Sequence, residues 1–577
     1  MDVKNLNLER YRKNILFIPI GGSNEVGLNC NLYHYDGKWL VIDCGVGFTK
    51  LIPGVELLVP DIALLRKFKR DILGMFITHI HEDHIGAVQY LWPELEIPIF
   101  TSKFTKLFLL EKLREYNYRN RIVINEVNNG DKINLFPFEV ELIGMSHSAP
   151  EMNALLIKTE GGNILHSGDW KFDPSSPTEQ KSSIKRLKQL GSGGEILAVT
   201  CESTNIFSGL ISRSETELFD SFCSIIENKS GLVVFTTFAS NVSRIKIICS
   251  VAKKTKRRVV LVGSSLLRLV KVARAVGYLE DDCEFLSEKE IKNFEKRNLV
   301  IIATGCQGNV NAGIDKLAND TYKYVRLSEE DCVIFSSRVI PGNEKELSAL
   351  YNKFASKDIE VITEKTDFVH VSGHYCLDDL KKFYEYTKPK IVIAVHGEPA
   401  QIIEHYRVAK ASKIDIVAKG RNGVILKITD NGVEKLNQLD LQTVVVDGKR
   451  LLPTKSEIIR TREKIINVGV VFVNLLVSPK YRILQNPVIS APGGYDFASD
   501  KVSQEIFSED IVNSYNESIV QINETRRKNR SKFLTDLEKE SFISQRIRIS
   551  INKLYDVEIG KKPVIEIFFT KIIVPIQ

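Results

Sequence analysis

With 577 residues, 43% of them hydrophobic and 26% charged, the chain holds enough apolar material for about three or four domains and reads as globular. Nine scattered cysteines without a Cys-x-x-Cys pair exclude a disulfide framework and a thiolate zinc site and point to a reducing cytosol, while a net charge of +7 is compatible with a polyanionic substrate without demonstrating one. No secretion signal or membrane span is expected: Glu9-Arg10 interrupts the start, and the apolar run Val468 to Val477 is broken by Gly469 and Asn474, well short of the ~20 residues a membrane helix needs.

In chain order, Ile15 to Ile20 reads as a strand, Gly21-Gly22-Ser23-Asn24-Glu25-Val26-Gly27-Leu28-Asn29 as a tight loop near an active site, and Asp36-Gly37 as the hairpin turn before a strand from Trp39 to Ile42. The glycine loop lacks the Gly-x-Gly-x-x-Gly order of a dinucleotide site. Asp43, at the strand end, is a candidate to hold a ligand histidine from behind. The apolar run Ile72 to Ile77 then leads into Thr78-His79-Ile80-His81-Glu82-Asp83-His84-Ile85-Gly86. In extended backbone residues two apart share a side, so His79 and His81 can close on one ion while Asp83 and His84 turn toward a second. Imidazole and carboxylate donors suit zinc or manganese. The three-residue separation of His81 and His84 rejects the helical His-Glu-x-x-His zinc site.

Two further candidate ligands follow strand-like segments, His147 in Met145 to Pro150 and Asp169 in Ile164 to Asp169, the latter able to bridge two ions. His34, His166 and His405 are assigned to structure. From about Leu197 apolar strands alternate with helical stretches (Leu232 to Phe238, Val259 to Gly263, Val300 to Thr304, Cys332 to Ser336), the pattern of a parallel α/β sheet. The basic run Lys253 to Arg258 reads as a solvated face. His396 follows the strand Ile391 to Val395, and an inserted domain explains why this ligand arrives so late. Domains are expected at 1–205 and 370–430 for a split core and at 206–369 for the insertion. A linker at 431–457, opened by Asn431-Gly432, would precede a last unit at 458–577. That unit is read as strands Val468 to Val477 and Tyr481 to Ile489, charged helices and a closing strand Pro563 to Thr570. It has no histidine and suggests an assembly role.

The Thr78 to Gly86 loop resembles the metallo-β-lactamase signature. With Gly21 to Asn29, His166 to Asp173, Glu202 to Asn205, Phe335 to Glu344, His370 to His374 and Val395 to Glu398, the chain resembles, over nearly its whole length, the bacterial ribonuclease J family of metallo-β-lactamase plus β-CASP nucleases. The resemblance implies an αββα sandwich, an inserted β-CASP α/β domain and a small α+β C-terminal domain. It implies two divalent ions, zinc or manganese, held by His79, His81, Asp83, His84, His147, Asp169 and His396, with Asp43 and Glu202 behind them. His370, Val371, Ser372, Gly373 and His374 would bind substrate phosphate, Gly373 by letting backbone approach an anion. Catalytic candidates are Asp83, His374 and Glu82. His374 is the better proton donor because imidazole titrates near 7, whereas Glu82 would only orient a ligand. The implied activity is 5′-to-3′ exonuclease and endonuclease action on single-stranded RNA, preferring a 5′-monophosphate, in RNA maturation and mRNA decay. The implied setting is a cytoplasmic homodimer or homotetramer, within an RNA-degradation complex and away from membranes. Departures from the family pattern fall at Glu202, Ser243 and Asn309 and leave every ligand in place. A DNA-directed β-CASP nuclease, a small-molecule hydrolase on the same core and a non-catalytic RNA-binding subunit stand as alternatives.

Overall fold

A computed structural model describes residues 3–175, 183–209, 212–279, 284–528 and 534–572. The chain divides into two compact units, Met1–Phe48 with Leu57–Val444 and Thr49–Glu56 with Val445–Gln577.

The first unit is built on two facing sheets. One has eight strands, in the order 432–438, 424–429, 15–21, 30–35, 38–42, 72–76, 99–101 and 124–126, and the other seven, in the order 416–419, 391–394, 198–201, 162–166, 153–159, 138–144 and 132–135. Phe17, Leu40 and Phe76 from the first meet Leu142, Ile157 and Ile393 from the second in a shared core. The outer face of the seven-stranded sheet, through Leu165, Val199 and Val392, is covered by Leu187 and Leu190 of the helix Ile184–Ser192 and by Leu380 and Phe383 of the helix Leu377–Thr387. Burial on both faces explains why these strands read as unbroken apolar runs.

The inserted segment carries a six-stranded sheet, paired in parallel throughout, in the order 285–286, 258–262, 299–303, 233–236, 332–335 and 360–362. Alternate residues of one strand serve opposite cores: Val233 and Phe235 pack with the helices Leu218–Glu227 and Val242–Lys254, and Val234 packs with the side that holds the helix Glu344–Ala355. Arg257 departs from the solvated face expected for its basic run. It is buried, and its guanidinium donates to the carbonyls of Gly231, Lys229 and Leu299, which explains how its charge is accommodated there.

The span 431–457 also differs from the linker expected of it. Asp430-Asn431 is the turn of a hairpin, and Gly432–Gln438, opened by Gly432 at φ +147° opposite Thr429, pairs antiparallel with Val424–Thr429 as the edge of the eight-stranded sheet. In the second unit, Val470–Val477 pairs in parallel with Val564–Lys571 and antiparallel with Val488–Ser490. The strand expected from Tyr481 is thus shortened to three residues. Tyr481 sits in a turn at φ +61°, its N–H bonded to the Ser478 carbonyl, and Pro487 has no N–H to give a ladder. Two helices, Lys501–Lys528 and Asp536–Ile559, cover the sheet with fully buried residues at every fourth position: Phe507, Ile511 and Tyr515 on one, and Ile543, Ile547, Ile551 and Tyr555 on the other. No helix among the described residues is long and apolar enough to cross a membrane.

Candidate metal centre

The strand Ile72–Phe76 is buried, and the chain leaves it through Ile77 and Thr78. His81 is still extended (φ −62°, ψ 143°) and begins the short helix Glu82–Ile85, so His79 and His81 project together while His84 is carried around the helical turn. The ligand atoms form two groups. His79 Nε2 and His147 Nε2 each lie 3.0 Å from His81 Nδ1 and 3.9 Å from Asp169 Oδ2. Asp83 Oδ2 lies 3.5 Å from His84 Nε2 and 3.6 Å from His396 Nε2, and Asp169 reaches the same two imidazoles at 3.2 and 3.4 Å. Asp169 therefore belongs to both groups.

For four of the five histidines the opposite nitrogen explains the direction of the ring. The His84 Nδ1–H donates to Asp43 Oδ2 at 2.7 Å, and the His79 Nδ1–H donates at 2.9 Å to Thr78 Oγ1, whose hydroxyl donates in turn to Asp43. Asp43, held at φ +65° and bonded to the Thr78 N–H, thus orients two ligands from behind. The His147 Nδ1–H donates to the Gly373 carbonyl at 2.7 Å, and the His81 Nε2–H donates to Ser240 Oγ at 3.0 Å. In the first group the nitrogens left over, His79 Nε2, His81 Nδ1 and His147 Nε2, are bare lone pairs facing one another. Burial, joined by the neighbouring imidazoles, holds His79 and His147 well below the usual imidazole range, and burial pushes His81 down to about 4. Asp169 Oδ1 is buried with no hydrogen-bond partner among the described residues. Converging lone pairs beside an unsatisfied carboxylate fit a divalent cation at each group.

A third group adjoins this one. Glu202 accepts from the Trp170 N–H at 2.8 Å and from the His374 Nδ1–H at 2.7 Å, with the Thr204 hydroxyl on the same carboxylate. Burial acts downward on His374, but Glu202, with Asp169 and Asp83 behind it, pushes the ring up to about 9, above the neutral value expected from sequence. Its side chain is 28% exposed, so it is open to substrate. Ser372 Oγ accepts from the His374 N–H at 3.1 Å and from Asn205 Nδ2 at 3.4 Å.

Other expectations are corrected. Glu82 pairs with Lys112 at a half-exposed position and belongs to none of the ligand groups, because the helical turn that brings His84 inward carries Glu82 aside. Packing by itself calls for glycine at 373, where a Cβ would stand 2.4 Å from Ser148 Oγ. His370 lies beside Arg244, and burial followed by that cation pushes it down to about 3, so it remains neutral. The Val371 carbonyl accepts from Arg244 Nη2 at 3.2 Å. Ser240, Arg244 and the side chain of Asn29 reach this region without a local sequence signal; each does so through contacts more than 50 residues apart.

Three family models match: the metallo-beta-lactamase superfamily over residues 24–193, the beta-CASP domain of ribonuclease J over 230–354, and the Zn-dependent metallo-hydrolase RNA specificity domain over 358–418. A ribonuclease J from Sinorhizobium meliloti is 36% identical over 563 residues, covering 97% of both chains. The chain belongs to the ribonuclease J family. The Thermus thermophilus ribonuclease J is 29% identical over 85% of this chain and 86% of its own. A crystal structure of a protein of unknown function from Enterococcus faecalis superposes with a TM-score of 0.51 at 18% identity, covering 67% of this chain and 95% of that one, a likeness of fold. Of the ribonuclease J domains, the first matched segment carries six of the candidate ligands, the RNA specificity segment carries His396 and the 370–374 loop, and the beta-CASP segment reaches the centre through Ser240 and Arg244.

Proposed function

We propose that this chain is a metal-dependent ribonuclease that degrades single-stranded RNA from a 5′-monophosphate end and also cuts internally, in RNA maturation and mRNA decay. The observation that carries the proposal is the pair of ligand groups sharing Asp169 beside the 370–374 loop. When bound, two divalent ions, zinc or manganese by the donor chemistry, supply water activation at neutral pH and neutralise charge on the phosphodiester. Asp169 holds the two groups at one spacing, and Asp43 fixes the tautomers of His84 and, through Thr78, of His79. Through the Gly373 carbonyl on His147, the loop that would grip phosphate is tied to a ligand. His374 keeps Nδ1–H on Glu202 and presents Nε2–H to protonate the leaving oxygen. Ser372, with its hydroxyl shared between Asn205 and the His374 N–H, would receive the terminal phosphate. We assign the working form to a cytoplasmic homodimer or homotetramer supported by the histidine-free second unit, and to an RNA-degradation complex.

The test compares matched RNAs carrying 5′-monophosphate, triphosphate or hydroxyl, with wild type and Ser372→Ala. Faster shortening of the monophosphate RNA, with the preference lost in Ser372→Ala, is expected. Equal rates on all three ends with both proteins would leave only an internal cutter.

A further inference from the structure

The second ligand group has one more polar atom at ligand spacing. The carboxamide nitrogen of Asn29 lies 3.1 Å from His84 Nε2, 3.3 Å from Asp83 Oδ2 and 3.4 Å from His396 Nε2. Donors ~2.1 Å from one ion stand about 3–3.6 Å apart, which is the range of the separations here. Asp83 Oδ2 stands 3.5 Å from His84 Nε2 and 3.6 Å from His396 Nε2. Asp169 stands at a similar spacing, Oδ2 at 3.2 Å from His84 Nε2 and Oδ1 at 3.4 Å from His396 Nε2, so the Asn29 carboxamide meets the second group at much the same separations as its carboxylates. Asn29 is thus a fifth side chain facing the space that Asp83, His84, Asp169 and His396 enclose.

The residue is built into this place. Asn29 is 2% exposed, its N–H donates to the Asp83 carbonyl and its carbonyl accepts from the Gly45 N–H, both at 2.9 Å. Its Oδ1 fills the space beside Gly22, where a Cβ would stand 2.2 Å away and where φ is +85°. The two ends of a carboxamide are nearly equal in size, so a half-turn of the terminal torsion exchanges them without moving the neighbours. The two N–H groups face three atoms of this group, His84 Nε2, Asp83 Oδ2 and His396 Nε2. Once a cation takes the lone pairs of those atoms, the same position calls for an oxygen.

We propose that Asn29 is the fifth donor to the second ion, through Oδ1, in addition to Asp83, His84, His396 and Asp169. The proposal rests on the two-ion reading above. As a neutral donor it makes the second site weaker and more exchangeable than a third carboxylate would.

The test titrates metal-stripped full-length protein with zinc against a chromophoric chelator, for wild type, Asn29→Leu (similar size, no donor) and Asn29→Asp. In Asn29→Leu the first ion should bind within about threefold of wild type and the second should weaken by about tenfold or more; in Asn29→Asp the second should tighten. With cobalt, the visible absorption of the second equivalent should intensify in Asn29→Leu as that ion drops to four donors. Wild type with two ions and an unchanged second site in Asn29→Leu would overturn the Asn29 assignment alone. Weakening of both ions together with a lower melting point of the metal-free variant would also overturn it, in favour of a structural residue. Wild type that takes up fewer than two ions would overturn the two-ion reading and this assignment with it.

Discussion

Replacing Arg244 by Met tests the strut between the inserted domain and the 370–374 loop. Arg244 is completely buried and donates Nε and Nη2 to Glu215 at 2.8 and 3.0 Å, Nη1 to the Ser336 carbonyl at 2.9 Å and Nη2 to the Val371 carbonyl at 3.2 Å. Met fills much of the volume but takes the bonded guanidinium from the buried Glu215 carboxylate, leaving it Asn241 Nδ2 at 3.2 Å and the more distant charge of Lys171. Breaking one side of a buried pair costs about 3–5 kcal/mol, whereas replacing both sides with apolar groups is often close to neutral. Arg244→Met is therefore expected to be destabilised by about 3–5 kcal/mol, and Arg244→Met/Glu215→Leu to recover most of it. The assay is the unfolding midpoint of the four proteins of the cycle, read alongside KM and kcat on RNA. Because the Val371 contact is lost in both variants, the double variant should regain stability while its KM for RNA stays raised. A single variant within about 1 kcal/mol of wild type, or a double variant no more stable than the single one, would refute the reasoning.

Glu215 also makes an acid-pH prediction. Burial acts upward on its carboxyl, but Arg244 and then Lys171 hold it down at about 2, below the ordinary 4.5. A depressed folded value contributes stability that is complete above about pH 4.5 and is lost as pH falls toward 2, on the order of 3 kcal/mol at 1.36 kcal/mol per unit. Midpoints measured between about pH 6 and pH 3 should fall more steeply for wild type than for Arg244→Met/Glu215→Leu; parallel curves would contradict this. His81→Ala should lower RNA cleavage at least ~100-fold and abolish binding of one zinc, while the metal-free protein melts within a few degrees of wild type, since the strand beneath the loop is untouched. Retained zinc stoichiometry would count against its place in the first group. A chain ending near Asp440 should sediment at a smaller assembly state than the full chain, and an unchanged state would remove the assembly role from the second unit.

Much of the centre was legible because its chemistry is packed into short segments. The alternation of His79 and His81, the turn that brings in His84, and the strand-end positions of His147, Asp169 and His396 are local patterns, and each is where its segment directs it. Glu82 misled because spacing alone does not say which way a helical turn carries a carboxylate lying between two ligands, and Lys112 lies 30 residues away. The reason for Gly373 was equally hidden, since its partners, Ser148 and His147, are more than 220 residues distant. Arg244 looks in sequence like a polar interruption of an apolar helix, and only the folded insertion shows Glu215 and Val371 on either side of it. In sequence Asn431-Gly432 looks like a break because a hairpin turn and a linker share the same residues; the strand that starts at Gly432, Gly432–Gln438, is half-polar because it lies on an edge.

The central claim, that the ligand groups serve cleavage of RNA, is tested most directly by one incubation series. End-labelled RNA, DNA of matched sequence and a thioester are each treated with the full-length protein as purified, after chelator, and after return of zinc or manganese. The account predicts cleavage of RNA in preference to DNA, no thioester hydrolysis, loss of activity with chelator and recovery with metal. RNA cleavage that persists in chelator, or thioester hydrolysis with intact RNA, would contradict it.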